Sequence, residues 1–103
     1  MIKSVLYISF IYSFCFTQWF DLNHDGINRS YYISYPNDWT EPSGLIINMH
    51  GFGGTASNQQ AGTQMNSYAH PQNMAVVYPQ GITSDIGSPS WNIGAFWDFN
   101  SAD

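Results

Sequence analysis

Basic residues are almost missing from this sequence. Lys3 and Arg29 stand alone against seven acids, for a net charge of −5 over 103 residues. A chain with so little positive charge has no patch to neutralise phosphates, which excludes nucleic-acid binding. Cysteine is scarce as well: Cys15 is the only one, so no disulfide within the chain can form and a packed core has to hold any fold. No Lys follows Lys3, which rules out a phosphate-binding loop ending in Gly-Lys-Ser/Thr. No internal repeat is visible. The nucleophile pattern Gly-x-Ser-x-Gly is also missing, since Gly54-Thr55-Ala56-Ser57 and Gly87-Ser88-Pro89-Ser90 both miss its spacing. The length suits one small domain.

What is present begins with a leader. Lys3 supplies a positive start, Val5–Phe16 is an apolar run interrupted only by Ser9 and Ser13, and Cys15-Phe16-Thr17 ends it with small residues at alternate positions. Residues 1–17 therefore read as a signal peptide, too short for a comfortable membrane span, with an uncleaved anchor as the alternative. A lipoprotein reading of Cys15 is weaker, because Phe14 sits where a small residue is wanted. Cleavage would leave Arg29 against seven acids, a net charge of −6, on a secreted chain with no stable membrane association.

After the leader, Gln18–Leu22 predicts a strand, Asn23-His24-Asp25-Gly26 a turn, and Arg29–Tyr35 a second strand ended by Pro36, together a β-hairpin. Asp21-x-Asn23-x-Asp25-Gly26 copies the first half of a calcium loop. The twelfth position, however, is Tyr32 instead of a bidentate Glu, and Arg29 occupies the ninth. The plain turn is preferred, with His24 exposed in it and no metal bound. Asn37–Gly44 follows as a polar loop. Leu45-Ile46-Ile47 then reads as a buried strand that runs into His50-Gly51-Phe52-Gly53-Gly54. A helix is expected between Thr55 and Tyr68, its stripe of Met65, Tyr68 and Ala69 facing the core. Met74–Tyr78 is a further buried-type strand. The strand–helix–strand unit predicts parallel pairing with a right-handed crossover, and Gln80–Asp103 reads as an aromatic-rich loop.

The glycine turn is the one stretch built for chemistry, because glycines let backbone N–H groups approach a ligand at the carboxyl end of a sheet. Two mechanisms compete. Gly51-x-Gly53-x-x-Ala56 satisfies the dinucleotide fingerprint, but no acid lies between Glu41 and Asp85 to hold a ribose. The other is an oxyanion hole, in which N–H groups stabilise the charge developing on an ester carbonyl. That role falls on Phe52, or second on Gly53, with His50, Gly51 and Gly54 supporting the loop.

Tyr31–Pro36, Leu45–Gly54, Met74–Gly81 and Trp91-Asn92, in that order and spacing, resemble the secreted esterases grouped with polyhydroxybutyrate depolymerases and feruloyl or acetylxylan esterases. The similarity covers nearly all of the chain after the leader. It implies the amino-terminal part of an α/β-hydrolase fold with an incomplete sheet, over residues 18–103. It also implies a serine carboxylesterase acting on polysaccharide-linked esters or a polyester, without metal or organic cofactor. In this fold the triad runs Ser, Asp, His; His24, His50 and His70 all come too early to be its base, and His70 is expected at the surface before Pro71. The chain thus looks like a piece that stops before the serine, inactive alone. Trp91 and Trp97 are candidates to stack on a sugar ring or aromatic acyl group, with core packing or loop stapling as the competing role, preferred for Trp91. A non-catalytic secreted module binding carbohydrate through the same two tryptophans is the alternative function.

Overall fold

The structure, a computed structural model, describes residues 16–37 and 43–94. Most of the expected leader, the greater part of the polar loop and Trp97 lie outside them.

The hairpin forms as expected. Strand β1 (Phe16–His24) pairs antiparallel with β2 (Ile27–Tyr35) in unbroken register. The two-residue turn takes positive φ at both positions, 50° at Asp25 and 78° at Gly26, the geometry that matches strand twist and that Asp-Gly favours. Asn23 is used up inside it: its Oδ1 accepts from the Gly26 N–H, and its amide donates to Asn28 Oδ1. Of the calcium-like residues, Asn23 is thus spent on an ordinary turn, and no group of three or more His, Cys, Asp or Glu side chains placed to hold a metal gathers among the described residues.

Strand β3 (Gly44–Ile47) pairs parallel with β4 (Met74–Gln80), and β4 pairs antiparallel with β2, giving a four-stranded mixed sheet in the order β1-β2-β4-β3. β4 runs two residues past Tyr78, through Pro79 opposite Tyr31 to Gln80 opposite Ser30.

One helix was expected between β3 and β4, and there are two: α1 (Ala56–Thr63) and α2 (Met65–Ala69), followed by a 3-10 turn at His70–Gln72. The break is Gln64, whose φ of 50° places it in the left-handed region while its N–H still donates to Gln60 O. Ser67 then starts the next turn by bonding Gln64 O through both its backbone N–H and its Oγ. The shift in register leaves Met65 and Ala69 on the core and Tyr68 largely in solvent.

Both helices cover one face of the sheet. Tyr78 and Val76 of β4 pack with Ala56 and Ala69, flanked by Tyr32, Ile46, Met65 and Met74. Tyr78 is fully buried and its hydroxyl donates to Asn66 Oδ1 at 2.7 Å, so the one polar group of the core centre is satisfied. The opposite face carries Phe20, Leu22, Leu45 and Ile47, all exposed, so β3 is not the buried strand expected: alternation along it turns only Ile46 to the core.

The stretch after β4, expected to be loop, contains a small antiparallel ladder, β5 (Ile82–Thr83) with β6 (Pro89–Ser90).

Candidate functional site

The glycine turn leaves the carboxyl end of β3, where Asn48 N–H still bonds Val77 O of β4 at 2.9 Å. Asn48 also anchors the helix beyond: its Oδ1 accepts from Gln59 and its amide donates to Thr63 Oγ1. On the far side of the turn, Thr55 caps α1 by accepting the Asn58 N–H, a side-chain acceptor for one of the donors that a helix start leaves open.

His50 is the centre of the turn, 3 % exposed. The Gly81 N–H reaches its Nε2 at 2.9 Å. A backbone N–H can only donate, so Nε2 is the bare nitrogen and the proton sits on Nδ1. Nδ1 lies 2.7 Å from Gly51 O and donates to it. Gly51 O also accepts from the Gly54 N–H at 3.0 Å, so one carbonyl closes the turn from two directions. With both ring nitrogens committed, His50 has no site from which to take a substrate's proton, and the arrangement fits its expected role as loop support.

Of the two expected amide donors, Gly53 is withdrawn. Its N–H donates to Pro89 O of β6 at 2.8 Å, a contact sequence reasoning missed because it comes from 36 residues away in the chain. Gly53 has φ of +74°, a conformation suited to glycine. Gly54 supports the turn as expected: its N–H is bonded within it, and a Cβ there would press on Gly51 O and His50 at 3.1–3.3 Å. Gly51 contributes its carbonyl. Phe52 lies at the tip with about half its surface exposed, as is that of Met49 before the turn.

A residue the sequence did not single out ties this site together. Gln80 ends β4, where a dinucleotide-binding strand would carry an acid. Its Oε1 accepts the Ala56 N–H at 2.9 Å, and its amide donates to Gly81 O at 3.1 Å and points at His50 Nε2. Two donors of the first turn of α1, those of Ala56 and Asn58, are therefore taken by protein side chains. That argues against a pyrophosphate at this helix start.

Trp91 falls on the stapling side of its two expected roles. Its indole N–H donates to His50 O at 2.7 Å, and its ring lies 5.0 Å from the His50 ring. Trp97 lies outside the described residues.

His24, expected in the turn, is instead the last residue of β1, exposed and 3.4 Å from Asp25. His70, expected at the surface, is half-buried instead, with Nε2 3.2 Å from Ser34 Oγ; the end of β2 that receives it was invisible from the adjacent Pro71. This Ser–His contact is not a nucleophile–base pair open to substrate, because Ser34 is fully buried. Among the described residues no helix is long and apolar enough to cross a membrane.

No protein-family model matches this chain, and a search of curated proteins finds no match to it.

Proposed function

We propose that this chain supplies the oxyanion-loop portion of a secreted α/β-hydrolase, a carboxylic ester hydrolase of the polyhydroxybutyrate depolymerase or feruloyl/acetylxylan esterase type. The observation that carries the reading is the braced turn at the carboxyl end of a parallel strand. His50 is buried in one tautomer, and Gly51 O accepts from both His50 and Gly54. Catalysis of acyl transfer asks for fixed donors aimed at the oxygen where charge develops, so that nothing has to reorganise in the transition state. In this proposal the Phe52 N–H is the donor from this loop, the role that the resemblance to the esterases gives it, and the amides of Gly53 and Gly54 hold the turn instead.

The sheet order agrees with this reading. β3 pairs only with β4 among the described residues, and in the family its other side receives the strand carrying the serine. That serine, its histidine and its aspartate come from outside these 103 residues. The serine attacks the ester carbonyl, the histidine takes its proton and returns it to the leaving alcohol, and the aspartate orients the histidine. The substrate class is a polysaccharide-linked ester or a polyester.

Hydrolysis of p-nitrophenyl acetate and labelling by a fluorophosphonate serine probe test the proposal. The 103-residue chain should give neither above a buffer blank, and the full-length gene product carrying it should give both. A full-length product inert to ester and probe overturns the reading. So does a 103-residue chain that binds insoluble xylan while the full-length product hydrolyses nothing, since that is the behaviour of a carbohydrate-binding module.

A further inference from the structure

We infer that the β5–β6 hairpin together with Trp91 is a clamp that sets the direction of the glycine turn's amides, with Trp91 a positioning residue acting through His50. Three hydrogen bonds join the turn to the chain beyond β4. Gly53 N–H donates to Pro89 O at 2.8 Å, Trp91 Nε1–H donates to His50 O at 2.7 Å, and Gly81 N–H donates to His50 Nε2 at 2.9 Å. The hairpin that carries Pro89 and leads into Trp91 is itself pressed against the end of β4: a Cβ built on Gly81 would stand 2.5 Å from Ser90 O. Gly81, Pro89 and Trp91 thus hold one short segment from three sides, and neither the His50–Gly51 nor the Phe52–Gly53 peptide plane can turn without breaking one of these bonds.

The same geometry also fixes Trp91 itself. Its N–H is spent on His50 O, and its ring, half-buried, is set 38° from the imidazole plane at 5.0 Å. The clamp rests on the ester-hydrolase proposal only for what the positioned amides receive; its own geometry stands apart from that reading.

Trp91→Phe keeps a ring and removes the donor. In the full chain labelled with ¹⁵N, amide hydrogen exchange and the ring-nitrogen shifts of His50 read the consequence. Loss of one such bond is expected to speed exchange at Gly53 and Gly81 about fivefold. Amides in the paired stretches of β2 and β4 should keep their rates, and the His50 signal should move from a pure Nδ1–H form toward a mixture of tautomers. Unchanged rates at Gly53 and Gly81 overturn the inference, as does an equal acceleration through β2 and β4, which would make Trp91 a stabiliser of the whole fold. The wild-type chain gives a second reading in case the variant does not fold. Gly53 N–H, Gly81 N–H and the Trp91 indole N–H should show one common protection factor, and clearly separate values overturn the clamp. Neither arm measures hydrolysis, so a failed clamp and a failed esterase assignment remain distinguishable.

Discussion

His50 illustrates how a single side chain can be legible in type and not in partner. A histidine opening a run of glycines after a strand points to loop support, and the ring does bond Gly51 O within the turn. Its other partner, the Gly81 N–H, follows from how the end of β4 packs, which no local pattern encodes. His70 makes the same point in reverse, since the side chain next to Pro71 reaches Ser34 on β2. Removing the imidazole acceptor leaves a buried N–H with no replacement. His50→Phe should therefore destabilise the chain by about 1–3 kcal/mol, read as a lower urea midpoint with loss of Gly81 amide protection. An unchanged midpoint would mean that the Gly81 bond contributes nothing.

Among the elements, the strands were the most readable. Leu45–Ile47 and Met74–Tyr78 are short β-branched runs bounded by turn residues, and they pair in parallel as the strand–helix–strand order requires. The helix between them was misread as continuous because its apolar stripe says nothing about a left-handed residue at Gln64. Gly62, two positions earlier, is the residue a sequence would nominate for such a bend, yet it lies inside α1. Gln64→Gly removes the Cβ penalty at φ 50° and should stabilise the chain by up to about 1 kcal/mol. A urea midpoint that falls would show that the glutamine side chain has a role the backbone does not reveal. The β5–β6 ladder was also missed: with two residues in each strand, no alternation is long enough to show. The withdrawal of Gly53 as a donor depends on that ladder, so the candidate site could be located from sequence but not resolved to one amide.

At the scale of the whole molecule, both helices of the described residues lie on one side of the sheet. Helices α1 and α2 bury Val76 and Tyr78, whereas Leu45 and Ile47 of β3 stand 55 % and 64 % exposed on the other face. Exposed apolar residues on a strand whose outer side pairs with nothing among the described residues favour association with other chains. The 103-residue chain should therefore sediment as concentration-dependent oligomers, and Ile47→Lys, a charge on that face, should shift it toward monomer. A wild-type chain that stays monomeric at every concentration would argue that this surface needs no cover and would weaken the view of an incomplete hydrolase sheet. The central claim concerns one N–H, and replacing the amide of Phe52 by an ester in the full-length protein deletes that donor, while Gly51 O remains as a weaker acceptor for His50 and Gly54. If the turn is an oxyanion loop, kcat for p-nitrophenyl acetate should fall about 10²–10³-fold with little change in KM, whereas an unchanged kcat would contradict the account.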